Sequence, residues 1–181
     1  METPEENMRN AGIVFMFTAW IQGQMSDLVI FKKHPEFIQP FIETPNQIPA
    51  AFAKIRFRYW EKQFAPIKKE FIGVFSNCLT VAENRDIEEI YHWRNMIAHA
   101  HVSFGRDYML YRPTGGNERE AKLISDMGIR DIENRSDPIL VKIELAKNEQ
   151  FERADALIKR LDQITLSKVA ASIGVPHGRI R

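Results

Sequence analysis

YHWRNMIAHAHVSFGRDYMLYRP, Tyr91 to Pro113, changes character halfway along. Around its first half, Ile87, Ile90, Tyr91, Ile97 and Ala98 recur at helical spacing and share one apolar face. From His101 the chain alternates and is rich in β-formers, which predicts a strand over about 101–112. A helix over about 83–99 that leads into a strand predicts a mainly α-helical bundle with a small late β-hairpin insertion. The stretch also poses a chemical question. Arg94 falls in the middle of the apolar face, and a guanidinium cannot shed its charge there. It needs a partner, a cleft or an interface.

Upstream, residues 8–32 read as a helix, apolar on most sides and ended by His34-Pro35. Residues 35–49 hold four of the nine prolines and read as a connector, with one short turn near Phe37–Phe41. A second long helix is expected over about 50–65, closed by Pro66, which suits the first turn of the next. That third helix places Ile67, Phe71, Val74, Phe75 and Cys78 on one face. Asn84 or Glu83 marks the start of the fourth, where Asp86, Glu88 and Glu89 suit a helix N-terminus. Downstream, PTGGN is a turn signal, a polar stretch with one helical turn near Glu118–Met127 runs to Asp137, and PILVKIEL (138–145) reads as a strand that pairs with the first. The last helix spans about 148–172, with Asn148 as its cap and Phe151, Ala154, Ile158, Leu161 and Val169 on one face. IGVPHGRIR then reads as a loose basic tail. One domain over 1–181 is expected, its helical core at about 8–100 and 148–172 and the hairpin insertion at about 101–145.

Lys plus Arg number 25 against 24 Asp plus Glu, which argues against a non-specific DNA coat but leaves room for a local phosphate site. The single cysteine, Cys78, excludes an intrachain disulfide; a small core residue is the simplest reading, and a reducing cytoplasm fits. The apolar run Ala11–Ile21 is eleven residues, short of the roughly 20 that span a bilayer. METPEENMR before it carries three Glu and one Arg, the wrong charge for a secretory leader. The run is expected to begin a buried helix continuing through Leu28, Val29 and Phe31, with no membrane contact.

On the motif helix, Glu88, His92, Asn95 and His99 make a polar stripe at spacings of four, three and four, flanked by Tyr91. Arg94 and His99 lie about 140° apart around a regular helix, so they converge only if Arg94 bends, the helix frays, or a twofold-related copy supplies one of them. Arginine grips a phosphate through two charge-assisted bonds, and histidine moves a proton near neutrality. Together they suit cleavage of RNA by its own 2′-hydroxyl, with the arginine on the phosphorane and an acid at the leaving 5′-oxygen.

RNMIAH, Arg94 to His99, resembles the signature of the HEPN superfamily: Arg, a polar residue, three more, then His, late in a helix that follows other hydrophobic helices. The resemblance implies a HEPN-like helical bundle, usually a homodimer, and in many members a metal-independent endoribonuclease of toxin–antitoxin or phage-defence systems. It implies Arg94 and His99 as catalytic residues with Asn95 as their polar support, and an antitoxin protein as partner. Ala100 stands where many members have glycine, and a second histidine, His101, follows. The hairpin is not expected of the minimal family bundle.

Plainer readings exist for each residue. Arg94 bridges a carboxylate on a neighbouring helix, Asn95 bonds backbone, and His99 caps a helix end. Glu88, His92 and His99 have a metal-like spacing, yet zinc needs a further ligand, so no metal and no cofactor are expected. Lys54, Arg58 and Lys62 lie one turn apart within a stretch, 54–69, of six bases and one acid, interleaved with Phe57, Tyr59 and Trp60. This ridge is an expected RNA-binding surface, or simply the basic outer face of an aromatic helix. The sequence thus predicts a cytoplasmic, metal-independent endoribonuclease with Arg94, Asn95 and His99 at its site and His92, His101, Glu88 and Tyr91 as accessories. A dimeric module that binds RNA, a nucleotide or a protein without cutting is the alternative.

Overall fold

A computed structural model describes residues 4–44, 47–102, 106–113, 127, 140–146 and 148–180. It is mainly helical, 74% helix against 6% strand, with a small antiparallel sheet late in the chain, as the pattern predicts.

Helix α1, Pro4–Lys33, begins one turn earlier than the apolar periodicity suggests. Pro4 suits a first helical position, Glu5 and Glu6 complement the positive end of the dipole, and Lys32 and Lys33 the negative end. Its apolar content extends beyond the eleven-residue run, and by length and composition alone the helix suffices to cross a membrane. Much of the helix is nevertheless buried inside the protein, including Ile21, Met25, Leu28, Val29, Ile30 and Phe31. Core packing accounts for those side chains.

The connector holds a 3-10 turn, Pro35–Phe37, and a short helix α2, Ile38–Glu43. Helix α3 spans Ala50–Trp60 and stops five residues before the expected end. The reason is Pro66, whose ring in a continuous helix would strike the carbonyl four residues back, at Lys62. The chain breaks at 61–63 and restarts as α4, Phe64–Val74, with Pro66 in the first turn where no N–H is needed. Phe64, Ile67 and Phe71 face the core. The helix ends before Cys78, which is half-buried in the turn that follows.

Helix α5, Val81–His99, starts two residues before the expected boundary. Thr80 Oγ1 accepts from the Glu83 amide at 3.2 Å, and the Glu83 carboxylate accepts from the Thr80 amide at 2.7 Å, a reciprocal capping box. Its buried stripe is Ile87, Ile90, Trp93 and Met96. Tyr91 and Ile97 are half-buried and Ala98 is exposed, so Arg94 flanks the apolar stripe and does not lie in its middle. The sequence reading went astray by leaving out Trp93, the largest side chain of the stripe.

The expected strand at 101–112 is two strands. β1, His101–Val102, and β2, Met109–Tyr111, pair antiparallel with each other, and β3, Val141–Ile143, pairs with β2, giving a three-stranded sheet in the order β1-β2-β3. The pairs His101↔Leu110 and Leu110↔Lys142 share one face, while Met109 and Ile143 pair on the buried face. Asp107, in the bend at 106–107, is a turn former that the alternation masked. The helical turn expected near 118–127 lies outside the described residues except for Met127, which is helical and buried.

Helix α6, Asn148–Arg160, continues through a π-helical segment, Leu161–Leu166, into α7, Ser167–Ser172. Ala154, Ile158, Leu161 and Val169 are buried as the spacing predicts. The tail is not loose. Gly174, at φ 74°, allows Val175 to donate to the Ala170 carbonyl and Gly174 to that of Ala171, a Schellman cap. Val175 and Ile180 are buried, and His177 Nε2 lies 2.9 Å from Gln24 Oε1.

The chain divides into two compact units: Met1–Thr18 with Glu88–Leu157, and Ala19–Ile87 with Ile158–Arg181. In the first, Asn10 Nδ2 donates to the Leu145 carbonyl at 2.7 Å and the Ala146 amide donates to Asn7 Oδ1 at 3.2 Å, tying the end of β3 to α1. In the second, Phe31 and Phe52 stack at 4.9 Å, with Phe41 and Phe37 against them.

Candidate functional site

The residues of the motif belong to the first unit, on the last turns of α5 and the start of β1. Arg94 is half-buried. Its Nη1 donates to Asn95 Oδ1 at 3.2 Å, and its guanidinium carbon lies 5.8 Å from the ring centroid of Phe15 on α1. Among the described residues no carboxylate comes within ion-pair distance of it, so the plainer reading of Arg94 as an inter-helix bridge finds no partner there. A ring and an amide hold the guanidinium in place, and among the described residues no carboxylate compensates its charge.

The other charges of α5 behave differently. Arg153 Nε donates to Glu89 at 2.9 Å, Arg160 makes two bonds to Asp86 at 2.6 and 2.7 Å, and Lys168 donates to Glu83 at 2.6 Å. Of the acids read as helix N-terminal complements, Asp86 and Glu89 thus also bind bases on the last helices. Burial works to raise the Glu83 carboxyl, but bonds from Lys168 and Thr80 outweigh it and hold it below the usual range.

His99 is the last residue of α5 and is exposed. His101 is exposed in β1, opposite Leu110. Glu88, Tyr91 and His92 are half-buried, with the Tyr91 and His92 rings 5.3 Å apart. The structure therefore joins Arg94 to Asn95 and Tyr91 to His92. Within one regular helix Arg94 and His99 remain about 140° apart. Among the described residues no three His, Cys, Asp or Glu side chains cluster to hold a metal, so Glu88, His92 and His99 do not assemble as ligands.

Phe15 was missed by sequence reading, as was its setting. Ile13, Met16 and Phe17 on the same stretch of α1 are 37%, 68% and 41% exposed, an apolar patch on the helix that carries the ring under Arg94. The signal was present in the run Ala11–Ile21, which is apolar on more sides than one core can cover.

The basic ridge belongs to the second unit. Lys54 and Arg58 are exposed on α3, with no ion pair among the described residues. Lys62 is committed: its Nζ donates to Glu70 at 3.1 Å and lies 3.8 Å from the Tyr59 ring centroid. Glu70 also accepts from Tyr59 at 2.7 Å and from Lys33. Burial works to raise the Glu70 carboxyl, yet the bonds from Lys33, Tyr59 and Lys62 together hold it down at about 2. Burial and that neighbouring carboxylate push the Tyr59 hydroxyl well above its usual value. Arg56 makes two bonds to Asp27, at 2.9 and 2.7 Å. Burial raises the Asp27 carboxyl to about 6, although Arg56 works to lower it.

No family model, curated protein or solved structure matches this chain.

Proposed function

We propose that the chain is a HEPN-like, metal-independent endoribonuclease of the cytoplasm that works as a homodimer, with Arg94, Asn95 and His99 at its site. One observation carries the reading: Arg94 is held half-buried by Asn95 and Phe15 with no carboxylate among the described residues. A cation kept in this way is suited to an anionic ligand. The six-residue motif supplies the identity of that ligand as an RNA phosphate. The exposed Ile13 and Met16, on the helix that carries Phe15, suit a surface for a second copy. That copy supplies the histidine that the helix geometry keeps away from Arg94.

In this reaction a base removes the proton of the 2′-hydroxyl, the oxygen attacks the adjacent phosphorus, and the bond to the 5′-oxygen breaks as an acid protonates it. Arg94 clamps the charge that builds on the phosphorane, Asn95 fixes its guanidinium, and His99 carries a proton. The ends are a 2′,3′-cyclic phosphate and a free 5′-hydroxyl. A toxin or phage-defence role with a cognate antitoxin protein follows from the resemblance.

Purified protein incubated with single-stranded and structured RNA in chelator tests this directly. Cleavage leaving cyclic phosphate ends, lost in Arg94→Ala and in His99→Ala, is the expected result. Intact RNA with tight binding favours a non-catalytic dimeric module for RNA, a nucleotide or a protein. The exposure of His99 favours that second reading.

A further inference from the structure

Helix α3 carries a second feature that the motif does not use. On its inner sides the polar groups are committed: Arg56 to Asp27, Tyr59 and the following Lys62 to Glu70. What remains towards solvent is Lys54, Phe57, Arg58 and Trp60, with Glu61 beside them. Phe57 is 54% exposed and Trp60 56%, among the largest apolar exposures described. Their rings lie 5.1 Å apart at 66°. Arg56, itself clamped by Asp27, places its guanidinium 5.3 Å from the Trp60 ring centroid, which holds the indole in position without covering it. Lys54 and Arg58 are one helical turn apart, about 6 Å along the axis, beside Phe57.

We propose that this face binds single-stranded nucleic acid, with Phe57 and Trp60 stacking on bases and Lys54 and Arg58 contacting phosphates. The chemistry favours this ligand over a protein. A protein hot spot sets its anchors in well-packed pockets that a surrounding ring of contacts keeps free of water. Here the order around the helix is Trp60, Phe57, Lys54 and Arg58, so two solvent-exposed cations with no ion pair among the described residues border Phe57 on the side away from Trp60. A single strand offers a π-face and an anion with every unit, which is what such a row matches. The choice of RNA over DNA rests on the ribonuclease reading; the stacking and charge argument does not.

The test is a titration of full-length protein with oligouridine and oligodeoxythymidine, in chelator, followed by tryptophan fluorescence and by anisotropy of labelled oligomer. Saturable quenching that Trp60→Phe largely removes is expected, since Trp93 is buried and Trp20 half-buried. Phe57→Ala and Trp60→Ala each weaken binding at least about fivefold, the low end for loss of one stacking ring. Lys54→Ala flattens the slope of log affinity against log salt by about 0.7. Lys54→Glu with Arg58→Glu keeps both rings and still abolishes binding. Unchanged affinity in the ring variants and in the charge-reversed variant, with unchanged circular dichroism, overturns the proposal. Binding that persists in Arg94→Ala while no variant or wild type cuts RNA leaves the platform standing and removes the ribonuclease reading instead.

Discussion

Two arginines of this chain are partly withdrawn from solvent and are held in opposite ways. Arg56 meets a buried carboxylate with two bonds, at 2.9 and 2.7 Å, and Asp27 is 2% exposed. Arg94 meets an amide at 3.2 Å and a ring at 5.8 Å, and among the described residues no carboxylate. A guanidinium that answers a buried charge belongs to the fold, because removing it strands the partner. One that is positioned but not neutralised contributes little to the fold and keeps its charge for something else. The contrast recurs along α5, where Glu83, Asp86 and Glu89 are paired with bases from the last helices while Arg94 meets no carboxylate among the described residues.

The largest effects should separate these two roles. Arg94→Ala should lower RNA cleavage by about 100-fold or more, the scale for losing a preorganised group that stabilises transition-state charge. His99→Ala should do the same through the lost proton transfer. Both variants should unfold within a few degrees of wild type. Arg56→Ala should do the reverse, costing about 3 kcal/mol by leaving Asp27 buried and unpaired, while the folded fraction still cleaves. A thermal melt and a rate for each variant check the set, and a strongly destabilised Arg94→Ala would erase the contrast.

pH sharpens it further. Asp27 holds its proton more tightly in the folded chain than the ordinary value of 3.8 allows, to about 6. Its contribution to stability is fully present below about pH 4, falls as pH rises, and is lost above about pH 6, by at most about 3 kcal/mol. Denaturant unfolding across that window should show the fall, and Asp27→Asn should remove it. In Arg56→Ala the fall should extend to higher pH, since the lowering charge is gone. Glu70 acts with the opposite sign: its contribution is present above about pH 4.5 and is lost as pH drops towards about 2. A small effect closes the series, with Thr80→Ala costing about 1 kcal/mol through the lost cap of α5.

Much of the fold was legible in the sequence because periodicity reports burial directly. Ile67 and Phe71, or Ala154, Ile158 and Leu161, face the core where a period of 3.6 puts them. What escaped was decided by single local events. Pro66 ended α3 early through a clash at one carbonyl, and Gly174 turned an apparent tail into a docked cap. The alternation from His101 to Tyr111 concealed a turn that makes two strands of one. At the candidate site, the residue types and spacing of Arg94, Asn95 and His99 were readable. Phe15 was not, because pairing between α1 and α5 is a long-range fact that no local pattern encodes. Nor could spacing show that Lys62 and Arg56 are bound to carboxylates while Lys54 and Arg58 meet none among the described residues.

The central claim is that Arg94 of one copy acts with His99 of another, since one helix holds them about 140° apart. Mixing Arg94→Ala and His99→Ala proteins tests it most directly, with RNA cleavage as the readout. Each variant alone should be inactive, and mixed dimers, which retain one intact arginine and one intact histidine in different copies, should recover a measurable part of wild-type cleavage. Mixed dimers that form and stay inactive would contradict the account.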